Sequence, residues 1–97
     1  MPYITQEQRD VFKYDLDRLI KLLNKVEDTT DMPGELNYII TRLLNDTLIQ
    51  GEPRYYKINT ALGVLEAVKL EFYRRLAAQY EDVVIEKNGD IECYEND

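Results

Sequence analysis

Ile58-Asn59-Thr60-Ala61-Leu62-Gly63-Val64-Leu65-Glu66-Ala67-Val68-Lys69-Leu70-Glu71-Phe72-Tyr73-Arg74-Arg75-Leu76-Ala77-Ala78-Gln79-Tyr80 is the stretch that decides the fold. Within it Ile58, Ala61, Leu62, Leu65, Val68, Phe72, Leu76 and Tyr80 recur at three- and four-residue steps, which is the period of one helix face. The spacing predicts a long helix that begins between Arg54 and Ile58. It continues through Val84 to Lys87 if Asn88-Gly89 acts as a stop. A small hairpin over residues 83–93 competes with that continuation, because Val83-Val84-Ile85 is β-branched and Asn-Gly is a strong hairpin turn. The helix is preferred, since Ile91 and Cys93 alone make a weak second strand. At 1.5 Å per residue, about 30 residues make a helix about 45 Å long. Its far end must overhang the rest of the chain or meet another chain.

Two shorter helices are expected upstream. Thr5-Gln6-Glu7-Gln8 reads as a capping box, with Thr5 accepting from a backbone N–H and Gln8 reaching back, so the first helix starts at Gln6. Phe12, Leu16, Leu19, Leu23 and Val26 then form one apolar stripe, with Asp10, Asp17, Lys21 and Lys25 on or near the other side. Thr29-Thr30-Asp31-Met32-Pro33-Gly34 breaks the pattern and restarts it with a capping residue and a first-turn proline. The second helix is expected from about Gly34 to Ile49, with Leu36, Ile40, Leu43, Leu44 and Thr47 facing inward. Gln50-Gly51-Glu52-Pro53 ends it. The fold class is therefore all-α, a three-helix bundle with a long third helix. Residues 1–88 form the helical domain and residues 89–97 a short acidic extension.

Composition restricts the chemistry. A chain of 97 residues, 44% of them hydrophobic and 32% charged, supports one soluble domain with a thin core, to which a partner subunit would add stability. It contains no histidine, serine or tryptophan and a single cysteine, Cys93. Serine-hydrolase, Cys–His and histidine–metal chemistry are excluded, and so is an intramolecular disulfide. Of the net charge of −7, residues 81–97 hold −6: Glu81, Asp82, Glu86, Asp90, Glu92, Glu95 and Asp97 stand against Lys87. That balance opposes non-specific nucleic-acid binding. The longest apolar stretches are a few residues, too short for a membrane span, and the opening residues lack a secretory pattern. A cytoplasmic location is the expectation.

Several polar residues interrupt the apolar faces. On the third helix Lys69 projects about 40° from Leu65, while Glu66 and Tyr73 border the arc at about 100° and 80°. One account is a Glu66–Lys69 ion pair with the lysine stem lying along apolar neighbours. The other is that Lys69 points into a cavity or subunit interface where an anion binds. On the second helix Asn37 sits on the apolar margin, and Tyr38, Arg42, Asn45 and Ile49 form a reverse stripe of the kind interfaces favour. Arg74 and Arg75 complete a basic set able to hold phosphate or carboxylate. Tyr38, Tyr55, Tyr56, Tyr73 and Tyr80 offer stacking surfaces. The candidate ligand-binding residues are thus Asn37, Tyr38, Arg42, Glu66, Lys69, Tyr73, Arg74 and Arg75, with no catalytic residue, metal ligand or cofactor. All-helical nucleotide pyrophosphohydrolases hold magnesium with carboxylates three residues apart. Here Lys69 stands where the carboxylate paired with Glu66 belongs, so an enzyme is not expected.

Met1-Pro2-Tyr3-Ile4, the blocks 34–44 (GELNYIITRLL) and 63–75 (GVLEAVKLEFYRR), Tyr80-Glu81-Asp82 and Asn88-Gly89-Asp90 carry a further indication. Together they resemble a family of short proteins of unknown function found in bacteriophages, prophages and some bacterial genomes. The resemblance covers nearly the whole chain and implies no activity for any residue. By analogy of setting, small oligomeric phage proteins that are not enzymes often counter host defence, one route being to sequester nucleotide second messengers at subunit interfaces. The leading expectation is a homo-oligomer that binds a small anionic, nucleotide-like ligand in the host cytoplasm. The alternative is an interaction module, an adaptor or inhibitor, that grips a host protein through its acidic C-terminal end.

Overall fold

The computed structural model describes residues 2–25 and 31–95, and among them every regular element is helical. Helix α1 spans Gln6–Leu23 and opens with the expected capping box. The Gln8 amide donates to Thr5 Oγ1 at 3.2 Å, and the Thr5 amide donates to Gln8 Oε1 at 2.9 Å. Two of the helix's orphan donors are satisfied in this way. Helix α2 spans Met32–Leu44, with Pro33 in its first turn, where no amide proton is missed. It passes into a π-helical turn, Asn45–Ile49.

The third helix, α3, has three consecutive parts. Tyr55–Phe72 is α-helical, Tyr73–Ala77 is a second π turn, and Ala78–Asn88 is α-helical again. The helical run is about 34 residues long. Gly89 ends it at φ 88°, and its amide donates to the Ile85 carbonyl at 2.8 Å. Asn88-Gly89 is therefore a helix stop and not a hairpin turn, and Val83-Val84-Ile85 is helical. A single 3₁₀ turn, Glu92–Tyr94, comes after it. The stripe residue Val26 and the restart residues Thr29 and Thr30 lie outside the described residues, as do Met1 and Asp97.

Contacts divide the chain into two units, Met1–Leu62 and Gly63–Asp97, with the boundary inside α3. In the first unit the C-terminal half of α1 faces the N-terminal half of α2. Leu19 and Leu23 are half-buried on one side, and Met32, Glu35 and Ile39 on the other. The N-terminal part of the α1 stripe is uncovered, with Phe12 and Leu16 more than half exposed. The inner face of α2 also differs from the expected one. Of Leu36, Ile40, Leu43, Leu44 and Thr47 only Leu44 is half-buried, and Leu48 and Ile49 are covered in place of Thr47. The π turn explains the second change: it places one extra residue in the turn and rotates the residues after it.

The loop after α2 is tied down by a lysine. Lys57, in the first turn of α3, donates from Nζ to the Ile49 carbonyl at 2.8 Å and to the Glu52 carbonyl at 3.2 Å. These charge-assisted bonds satisfy the carbonyl at the end of the π turn and one in the loop that follows it.

The second unit is one helix and a 3₁₀ turn, and a lone helix has no interior. Phe72 at 63%, Leu76 at 61% and Tyr80 at 72% exposure show how open its apolar side is. Across the described residues of both units none is buried.

Gln50 closes the first π turn in the left-handed region, at φ 44° and ψ 64°, with its amide bonded to the Asn45 carbonyl at 2.9 Å. A β-carbon is unfavourable there. Gln50→Gly is expected to raise stability by about 0.5–1 kcal/mol in chemical denaturation, since glycine adopts this geometry without the steric penalty. A neutral or destabilising result would mean that the Gln50 side chain contributes more than its backbone costs.

Candidate functional site

The eight candidate residues fall into two groups, one on each unit. On α2 of the first unit, Tyr38, Arg42 and Asp46 sit four residues apart and form a hydrogen-bonded chain. Arg42 Nη1 donates to Tyr38 Oη at 3.1 Å, and Arg42 Nε donates to Asp46 Oδ2 at 3.0 Å. The guanidinium carbon stands 6.0 Å from the centre of the Tyr38 ring, at the edge of cation–π range. Asn45 Nδ2 donates to Asp46 Oδ1 at 3.1 Å.

These bonds shift the charged groups in consistent directions. The hydrogen bond with Tyr38, and then that with Asp46, holds the Arg42 pKa above its ordinary value. The Asn45 amide, and then Arg42, holds the Asp46 carboxyl below the usual aspartate value. Two of the three guanidinium nitrogens of Arg42 are thus engaged within its own helix. Asn37, read as a margin amide in need of partners, is exposed, and its Oδ1 is 3.4 Å from Thr41 Oγ1. Thr41 donates primarily to the Asn37 carbonyl at 2.7 Å.

The second group lies on α3 from Glu66 to Arg75. Glu66 and Lys69 form an ion pair at 3.6 Å, with both side chains more than half exposed. The ion pair that one account of Lys69 requires is present at the helix surface. Lys69 also lines a shallow concavity with Phe72, Tyr73, Leu76, Ala77 and Tyr80, all within the second unit. Arg74 Nη2 donates to Glu71 Oε1 at 2.9 Å. Arg75 flanks a smaller hollow with Glu71, Phe72 and Leu76. It makes no hydrogen bond or ion pair with any described residue.

Three features were not legible in the residue pattern. Tyr73, Arg74 and Arg75 all belong to the second π turn, and such turns are enriched at functional sites. Asp46, the acceptor that engages Arg42, also sits in a π turn. A wider cleft between α1 and α2 is lined by Leu19, Leu22, Leu23, Gly34, Tyr38 and Ile39, with the carboxylates of Asp31 and Glu35 at its wall. Those carboxylates give it the wrong sign for an anion. Among the described residues no cluster of three or more His, Cys, Asp or Glu side chains is placed to hold a metal ion. No helix there is long and apolar enough to cross a membrane. Cys93 is exposed and free.

The family described as "Domain of unknown function (DUF6899)" matches residues 1–91, and the chain belongs to it. No curated protein and no solved structure matches the sequence significantly.

The Asp46 arrangement has a testable pH signature. A carboxyl whose folded pKa is depressed contributes stability that is fully present above the unfolded aspartate value of about 3.9 and is lost as pH falls through the folded value. Carboxyl NMR is expected to show Asp46 titrating below the ordinary aspartate value, and helicity at the end of α2 falling in step. Arg42→Ala should move Asp46 back toward the ordinary range without restoring it fully, because the larger cause, Asn45, remains. An Asp46 that titrates at the ordinary aspartate value would remove the Arg42–Asp46 and Asn45–Asp46 bonds from the solution structure.

Proposed function

We propose that this DUF6899 protein is a non-enzymatic, self-associating binding protein whose assembled form holds a small anionic, nucleotide-like ligand. One observation carries the reading: each unit presents apolar helix faces and no described residue is buried. Soluble chains rarely leave such faces open, and large exposed apolar patches mark interaction surfaces. The chain is read as a subunit that finishes its core against another copy.

The ligand part rests on the α3 group. Arg75 has an uncommitted guanidinium in the same π turn as the Tyr73 ring. The Glu66–Lys69 pair is long and solvated, so an incoming phosphate competes with it at small cost. Arg74 and Arg42 are less available, each being engaged with a carboxylate. Tyr38 supplies a second aromatic surface in the first unit. The resemblance to phage and prophage proteins favours sequestration of a host signalling nucleotide, as an analogy of setting.

A second reading keeps one specific observation in its favour. Glu81, Asp82, Glu86, Glu92 and Glu95 are exposed, and Ile91 and Tyr94 stand exposed among the last of them. An acidic surface with two apolar anchors suits a basic partner protein.

Native mass spectrometry of the purified protein separates the readings. A discrete oligomer that releases a nucleotide-sized mass on gentle denaturation is the expected result, and Arg75→Ala should weaken ligand binding by about tenfold or more. A monomer whose melting temperature ignores added nucleotides would sink the proposal. Loss of a captured host protein on deleting residues 89–97, with no ligand released, would establish the second reading instead.

A further inference from the structure

The apolar side of the second unit has an internal order that selects its occupant. Val68, Phe72, Leu76, Tyr80 and Val84 succeed one another at four-residue steps. In an uninterrupted α-helix each such step overshoots a full turn by about 40°, so five residues would wind well away from a straight seam. The π turn Tyr73–Ala77 lies in the middle of this series. A turn closed by i→i+5 bonds holds more residues per revolution, so a four-residue step inside it falls short and offsets the drift. Phe72, Leu76 and Tyr80 line one shallow concavity, together with Lys69, Tyr73 and Ala77 beside them. Glu81 is the next residue in that second row.

Both rows are complementary to their own reversal. Read backwards about Leu76, the apolar row sets Val68 against Val84, Phe72 against Tyr80 and Leu76 against itself. The flanking row Lys69, Tyr73, Ala77, Glu81 reverses with its centre one residue away. It sets Lys69 against Glu81, and the large Tyr73 against the small Ala77. The charge of the unit obeys the same division. From Gly63 to Arg75 three cations stand against two carboxylates, and from Ala77 to Asn88 three carboxylates stand against one cation. A parallel pairing would place the acidic halves together, whereas an antiparallel pairing places each acidic half beside a basic one.

We infer that the second unit of α3 pairs with the same segment of a second copy, antiparallel and about a two-fold axis at Arg75–Leu76. Leu76 meets its counterpart at the axis, Phe72 lies opposite Tyr80, and Lys69 of each copy reaches Glu81 of the other. The interface is isologous, as two-fold symmetry requires. This inference rests on the self-association proposed above and specifies its surface. It draws Lys69 and Tyr73 out of the ligand group named above and into the interface, so that Arg75, on the other flank of the apolar row, is the cation left for an anion.

Site-directed cross-linking of the full chain tests it, in a Cys93→Ala background. Leu76→Cys places thiols that meet at the axis, within disulfide reach, and should give a covalent dimer under mild oxidation. Leu65→Cys lies on the same apolar side about 30 Å from its counterpart in this arrangement and should give none. Charge exchange provides a readout that misfolding would not reproduce. Lys69→Glu and Glu81→Lys should each weaken dimerisation by about tenfold, each change acting twice per dimer, and the double exchange should recover most of the loss. Cross-linking at Leu65→Cys would show a parallel pairing and overturn the inference. An oligomeric wild type in which Leu76→Cys stays uncross-linked overturns it while self-association stands, and a monomeric wild type overturns both. A dimer with this register and no bound ligand upholds it and removes only the ligand part of the earlier reading.

Discussion

An apolar helix face has to be covered, and a single helix cannot cover itself. That constraint governs this molecule. Burying a leucine- or phenylalanine-sized side chain contributes about 1.5–3 kcal/mol relative to leaving it exposed. The second unit leaves Phe72, Leu76 and Tyr80 open, and the first unit leaves Phe12, Leu16 and Leu43 open. Helices of 18 and 13 residues are close to the length at which isolated helices are marginal in water. Local devices such as the Thr5–Gln8 box and the Lys57 clasp set where helices begin and how the loop turns. They do not supply what a core would. Under the self-association proposed above, folding and association are one problem, and stability rises with protomer concentration.

The charged residues add little to that balance. Lys13–Asp17, Arg42–Asp46, Glu66–Lys69 and Glu71–Arg74 are all pairs within one helix, three or four residues apart, and every partner but the half-buried Glu71 is exposed. Such pairs are worth about 0.3–0.5 kcal/mol each. Their orientation is mixed as well. Glu66–Lys69 and Glu71–Arg74 put the acid toward the helix N-terminus, the favourable sense, while Lys13–Asp17 and Arg42–Asp46 run the other way. Their effect is on availability: a cation bonded to its neighbour reaches less readily for a ligand. The pairing thins a basic set of four down to Arg75 as the uncommitted member, a distinction that composition could not make.

Signals carried by single residues were legible in the sequence. The capping box put the start of α1 at Gln6, and the third helix begins at Tyr55, inside the expected window. Gly89 stops that helix because a positive φ, open to glycine, ends helices as readily as it turns hairpins. Weak partners at Ile91 and Cys93 decided between those outcomes. Both π turns were hidden, because an extra residue in a turn leaves no characteristic side chain. Their effect appears at Thr47, expected inward and found exposed, with Leu48 and Ile49 taking its place. The role of Lys57 was hidden for a similar reason, since its acceptors are backbone carbonyls and any residue at 49 and 52 would offer them. At the site, the pattern marked Lys69 and Glu66 as a pair but gave no sign that Asp46 would engage Arg42. It also could not show that the eight candidates divide between two units.

The two π turns differ in consequence although they are built alike. The first ends α2, so the rotation it introduces affects only a few residues before Gln50 turns the chain. The second lies within α3 and passes its rotation to everything up to Asn88. Without it, Tyr80 and Val84 would wind farther from Val68 and Phe72, and Glu81 farther from the row that holds Lys69. A helix meant only to be solvated has no use for that correction, since every face of it is equivalent in water. A helix that must present one straight seam to a partner does. Under the proposed pairing, the extra residue at Tyr73–Ala77 serves the same requirement as the exposed apolar row. The molecule contains no histidine, so the proposed pairing has no imidazole switch near neutral pH and would respond to protomer concentration and ionic strength.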